Sequence, residues 1–384
     1  MQLAISSTEV FVSIRASRRL FSEILFQGFD RYIYSERRME DITEANFQFG
    51  PIGSRESWND VSVLELRRRQ RAVDGVGGQG KPMPVVHIDL DQDRQDLLNV
   101  FNDRLVQGEI SERVFSLTEE IILHVNSANY SVWQWRWCCF LHFLGEQDSV
   151  EGKEQLVLKE LSLMQIVATE NPKNYQLWNH RRKVAVERGE PHLRDELDFA
   201  SACLEHDAKN YHAWAHRQFL VQKYASPSII LFELEFTRKC LERDVMNNSA
   251  WNQRAFLRKV CGGFSSDDLK KVWKEKDEVM FVVLKIQADQ ENEAAWAYMK
   301  HICLFEPGDG KFAIEQFTKT IMFVLEADPN NVAASSALIE YYKHRSKMSL
   351  GIEREHLQSI ITSIKEKLET LDPLGNSRYK DSTQ

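Results

Sequence analysis

One phrase recurs along the middle of the chain and limits what the chain can become. An acid or amide is followed three residues on by Asn, then by Trp four residues later, then by Arg after three more. Four copies are complete: Asn126, Asn129, Trp133, Arg136; Asn171, Asn174, Trp178, Arg181; Asp207, Asn210, Trp214, Arg217; and Asp244, Asn247, Trp251, Arg254. A fifth copy, Asp289, Asn292, Trp296, has Met299 in the Arg slot, and a sixth, Asp328 and Asn331, has Ser335 in the Trp slot. Five of the nine tryptophans therefore share one position of one unit, which is the mark of a repeat architecture.

Successive tryptophans lie 45, 36, 37 and 45 residues apart. That leaves room for two helices of about 12 to 16 residues and two short turns. Each phrase follows a stretch with apolar residues at helical spacing, such as Leu161, Leu163, Ile166 and Val167, or Leu197, Phe199, Cys203 and Leu204. The Asn four residues before Trp is placed to cap the second helix, because its side chain can accept from the free N–H groups of the first turn. Trp and Arg, three apart, share one face of that helix. A single hairpin cannot bury its apolar face, so neighbours must stack into a curved all-α solenoid, with Trp as inter-hairpin core and Arg as its polar clamp.

Composition narrows the function. The net charge of −8 speaks against a general nucleic-acid binder, whose footprint is basic. Cys138, Cys139, Cys203, Cys240, Cys261 and Cys303 have no C-x-x-C spacing, and they read as reduced cytoplasmic core residues. No run of about 18 apolar residues predicts a membrane span, and the terminal Asp-Ser-Thr-Gln offers no prenylation cysteine.

Four segments are expected. Residues 1–55 read as a poorly ordered extension; Arg15, Arg18 and Arg19 among apolar residues resemble a transit peptide, but Glu9 and Glu23 count against one. Residues 56–98 form an N-terminal segment in which residues 65–84, with basic Arg67 to Arg71 followed by Gly75, Gly77, Gly78 and Gly80, predict a flexible linker, without the strand and G-K-[ST] ending of a phosphate loop. Residues 99–345 carry the helical hairpins, and residues 346–384 a C-terminal helix and polar tail.

Lys173 and Lys209 precede the capping Asn in consecutive phrases. A cation beside the free N–H groups of a helix start suits an anion such as phosphate, although a solvated turn lysine is the simpler reading. His212 and His216 have metal-binding spacing, but His216 repeats the slot of His180 and no further ligand follows, so no metal site is expected. Tyr130, Tyr175 and Tyr211 recur in one slot beside the loop, either as a phenol row facing a ligand or as repeat packing. No nucleophile with its base stands out, so any catalysis would use half a site.

The phrases Pro172–Arg182, Asp207–Gln218 and Asp244–Arg254 resemble the repeats of protein prenyltransferase alpha subunits, in particular the one shared by protein farnesyltransferase and geranylgeranyltransferase type I. The likeness runs from about residue 56 to residue 300 and fades beyond. It implies a right-handed α-α superhelix in an obligate heterodimer with a beta subunit. The family transfers a farnesyl or geranylgeranyl group from its diphosphate to the Cys of a C-terminal CaaX sequence. Its zinc and isoprenoid cavity lie in the beta subunit, and magnesium accompanies the diphosphate. Carried over, Lys173 neutralises the diphosphate with Tyr211 and His212 as nearby donors, Gln176 holds the peptide carboxylate, and Tyr130 and Tyr175 line the mouth. A tetratricopeptide scaffold fits less well, since it expects a fixed period of about 34 residues. The Rab-specific alpha subunit carries added domains for which this chain has no room.

Overall fold

The computed structural model describes residues 51–76, 90–263, 267, 274–305 and 311–373. All regular structure among them is helical. The helices are α1 (Val63–Val76), α2 (Gln92–Gln107), α3 (Glu112–His124), α4 (Tyr130–Glu146), α5 (Val150–Glu170), α6 (Tyr175–Arg188), α7 (Leu193–His206) and α8 (Tyr211–Tyr224). They continue with α9 (Pro227–Arg243), α10 (Asn248–Cys261), α11 (Glu275–Ala288), α12 (Glu293–Lys300), α13 (Lys311–Ala327), α14 (Val332–Met348) and α15 (Gly351–Leu371). The chain divides into two compact units, Met1–His216 and Arg217–Gln384.

Every Asn of the repeated phrase caps a helix. Asn174 Oδ1 accepts the N–H groups of Gln176 and Leu177 at 2.9 and 3.1 Å, and Asn129, Asn210, Asn247, Asn292 and Asn331 act alike. The acid or amide that opens the phrase closes the loop before the helix. Its side-chain oxygen accepts the N–H two residues on, as Asp207 does from Lys209 at 3.1 Å and Asp244 from Met246 at 2.9 Å. This turn needs an Asp or Asn side chain, which accounts for the residue types at that position.

The tryptophans are core. Trp133, Trp178, Trp214, Trp251 and Trp296 are all buried. Each indole N–H donates to the carbonyl six residues earlier, at 2.8 to 2.9 Å. Three of those carbonyls take a second bond from the Asn of the next hairpin: Asn174 Nδ2 to Ser127 O (2.6 Å), Asn210 Nδ2 to Pro172 O (3.1 Å) and Asn292 Nδ2 to Val245 O (2.8 Å). Stacking is thus fixed by hydrogen bonds from the capping residue as well as by apolar contact.

The arginines meet partners that the repeated phrase does not contain. Arg136, Arg181, Arg217 and Arg254 are buried against the buried Glu160, Glu196, Glu233 and Glu278 of the following helix, at 2.5 to 2.8 Å. The next hairpin adds a second donor to each carboxylate: His180 to Glu160 (2.5 Å), His216 to Glu196 (3.2 Å), Gln253 to Glu233 (2.8 Å) and Tyr298 to Glu278 (2.7 Å). Each Glu lies fourteen residues before the next capping Asn. In the fifth copy Met299 replaces the Arg, and the corresponding acid position is Phe317, so the buried charge is lost from both sides together.

Two expectations need correction. The basic stretch predicted as a linker from Arg67 onward is helical as far as Val76, in α1. Arg67 Nε donates to the buried carboxylate of Asp96 at 2.9 Å, which gives this one Arg of the run a packed partner on α2, while Arg68 and Arg69 stay exposed. Residues 77–89 lie outside the described residues. The extension predicted to reach residue 55 ends by Pro51, because Ile52 is buried and Arg55 pairs with Glu120 at 2.7 Å. Residues 1–50, with the transit-like arginines, lie outside the described residues, as does the polar tail from residue 374. The hairpin of α13 and α14 keeps the Asn331 cap, and α15 packs on α14 through Ile339, Ile361 and Leu368.

The longer spacings are also explained in part. Between Trp133 and Trp178 the extra residues lengthen α5 to 21 residues, beyond the expected 12 to 16, without disturbing the phrase that follows.

Candidate functional site

Within the first unit, the Asn174 and Asn210 bonds to Ser127 and Pro172 set three loops side by side, and the helices α4, α6 and α8 start from them. The first residue of each helix is a tyrosine, and Tyr130, Tyr175 and Tyr211 are 72, 70 and 71% exposed. The tyrosines are therefore not core residues, although Tyr175 packs edge-on against His212 of the next hairpin. They form a row of phenols on the surface where three helix N-termini emerge.

Gln176 and His212 occupy the second position of their helices. His212 is only 7% exposed. It lies edge-on to Tyr175 with ring centroids 4.3 Å apart, and meets Tyr211 at 5.5 Å and Trp178 at 6.5 Å. Burial, then the charges of Arg182 and Lys173, hold its pKa below the ordinary value of 6.5, so the ring is neutral at pH 7. Among the described residues neither its ring nitrogens nor the Gln176 amide has a hydrogen-bond partner, which leaves both for a ligand.

The two lysines differ. Lys173 Nζ lies 3.0 Å from Asp207 Oδ2, with side chains 68 and 30% exposed. Burial of Asp207 alone would raise its pKa, but the Lys173 hydrogen bond, the Lys209 N–H bond and the charges of Lys173 and His206 together outweigh it, and the carboxyl ends below its usual range. Lys209 is exposed and makes no ion pair among the described residues. The structure thus gathers Lys173, Tyr175, Gln176, Lys209, Tyr211 and His212 at adjacent helix starts, with Tyr130 at the start of the neighbouring helix α4. His216 is not with them: it is fully buried and engaged by Glu196.

Asp207 is the site residue that sequence reasoning passed over. Its signal was present, since it opens the third phrase where the second has the uncharged Asn171.

A face with a cation, neutral hydrogen-bond donors and helix N-termini can receive an anion and stabilise charge that develops on it. Residues 157–186, 193–224 and 230–259 match the protein prenyltransferase alpha subunit repeat. The chain carries three prenyltransferase alpha-subunit repeats. Among solved structures, a chain of the Candida albicans protein geranylgeranyltransferase-I complexed with GGPP resembles this repeat protein with a TM-score of 0.60 at 22% identity. The alignment covers 78% of the repeat protein and 93% of the other chain, and it shows a shared fold. No curated protein matches the sequence. No described helix of the repeat protein is long and apolar enough to cross a membrane.

Proposed function

We propose that the chain is the alpha subunit of a cytoplasmic heterodimeric CaaX prenyltransferase, which moves a farnesyl or geranylgeranyl group from its diphosphate to a C-terminal cysteine. The observation that carries this reading is that Lys173, Tyr211 and His212 lie at adjacent helix starts, with the Tyr211 hydroxyl and the His212 ring nitrogens unpartnered among the described residues and Lys173 held by a single ion pair. Departure of diphosphate develops negative charge on the bridging oxygen, and an ammonium with phenol and imidazole N–H donors, fixed before the reaction, stabilises it. A neutral His212 suits that role, because it donates one N–H without needing to be charged. The Gln176 amide offers donors for the peptide carboxylate, and the phenols of Tyr130 and Tyr175 supply amphipathic walls for the mouth.

The beta subunit would complete the site with the isoprenoid cavity. Zinc held by that subunit would activate the cysteine thiolate, and magnesium would offset diphosphate charge.

The test is co-expression with a farnesyltransferase beta subunit, followed by prenyl transfer to a CaaX peptide. Lys173→Ala should lower turnover by about a hundredfold or more while heterodimer yield is unchanged. Loss of heterodimer in step with activity would remove Lys173 from the chemistry, and absence of any complex with the wild-type chain would reject the reading.

A further inference from the structure

Asp207 joins two lysine-bearing loops through one carboxylate. Its Oδ1 accepts the Lys209 N–H at 3.1 Å and closes the turn of its own loop, while Oδ2 holds Lys173 Nζ at 3.0 Å. The backbone of the Lys173 loop is tied to the same neighbour, since Asn210 Nδ2 donates to Pro172 O at 3.1 Å. Main chain and ammonium head of Lys173 are therefore held by two residues of one loop, three positions apart. The turn does not need a charge at this position: in the preceding loop the amide oxygen of Asn171 accepts the Lys173 N–H at 3.3 Å and closes the same turn.

We propose that Asp207 is a positioning residue for Lys173, setting the place of its ammonium before an isoprenoid diphosphate arrives. This rests on the function proposed above. A lysine head exposed to water samples many rotamers, and anchoring it near its working position removes that search from the reaction. The anchor is exchangeable, because an exposed ion pair is weak and a diphosphate carries more charge than one carboxylate. Once the ammonium turns to the diphosphate, Asp207 keeps its bond to Lys209 and the loop stays closed.

The experiment compares four heterodimers with a farnesyltransferase beta subunit: wild type, Asp207→Asn, Lys173→Ala and the double variant. Turnover and KM for farnesyl diphosphate are measured for each. Asn retains the turn and removes the charge. Asp207→Asn is expected to lower kcat about tenfold without raising KM, and to cause no further loss when Lys173 is already Ala. Wild-type turnover in Asp207→Asn overturns the proposal. So does an equal loss in both backgrounds, which marks a purely structural role. A wild-type heterodimer that transfers nothing overturns the parent function and this role with it; a Lys173→Ala variant as fast as an active wild type leaves the function standing and removes the roles of Lys173 and Asp207; only the Asp207→Asn arms can sink Asp207 alone.

Discussion

At the scale of single residues, the deciding feature is a ladder of buried carboxylates, each shared between an Arg and a donor from the next hairpin. A buried ion pair costs much to desolvate, and removing one member leaves the other uncompensated. Arg254→Met should therefore cost about 3 to 5 kcal/mol in urea unfolding, since it strands Glu278 with Tyr298 as its remaining side-chain partner. The fifth copy indicates the remedy. Its Met299 and Phe317 fill the two slots with apolar side chains, so the double variant Arg254→Met, Glu278→Phe should lose far less than the two single costs combined. The second donor is more replaceable. Gln253 fills in one hairpin the slot of His216 in another, so His216→Gln should cost under about 1.5 kcal/mol, and His216→Leu about 2 kcal/mol or more. If the Leu variant is as stable as the Gln variant, the His216 to Glu196 bond contributes nothing.

At the scale of the helix, the capping Asn does two jobs. Its oxygen satisfies first-turn N–H groups, and its amide reaches back to the carbonyl that the previous Trp also uses. Asn174→Ala removes both, and should destabilise by about 2 to 3 kcal/mol, more than a cap alone. Asn174→Asp retains the cap and loses the donor, so unfolding measurements on the pair separate the two contributions. Trp214→Ala should lose several kcal/mol of packing, of the order of 3 to 5, and break solubility or assembly; a folded, active variant would contradict the core assignment. The cap, the Trp face and the hairpins were legible in the sequence because local periodicity determines them. The α1 helix was not. Its Arg67 looks solvated until Asp96, twenty-nine residues away, is brought against it.

At the scale of the molecule, the histidines of the ladder lie in the first unit. Burial holds the pKa values of His124, His212 and His216 below 6.5. A depressed histidine stabilises nothing above its unfolded value and opposes folding as pH falls below it, because the unfolded chain then binds more protons. Glu160 and Glu196 behave oppositely in range: burial would raise them, but their Arg and His partners bring both down to about 2. Their contribution is present above pH 4.5 and is lost as pH falls from there towards 2. Stability should thus decline from about pH 6.5 downward and steeply below 4.5. The second unit uses Gln253 and Tyr298 in the histidine slots, so hydrogen exchange corrected for intrinsic pH dependence should show residues 90–216 losing protection first. Simultaneous loss in both units would show that these histidines do not set the acid response.

The sequence alone determined the hairpin, its cap and its Trp core, since these depend on residues within one or two helical turns of each other. The resemblance of its phrases to prenyltransferase alpha repeats implied roles for Lys173, Tyr211 and His212. Only the tertiary structure decided which acids neutralise the arginines, and that Asp207 holds Lys173. Those partners come from separate hairpins, fifteen or more residues apart. A buried charge has no meaning until folding withdraws it from water, so its partner cannot be identified from local pattern.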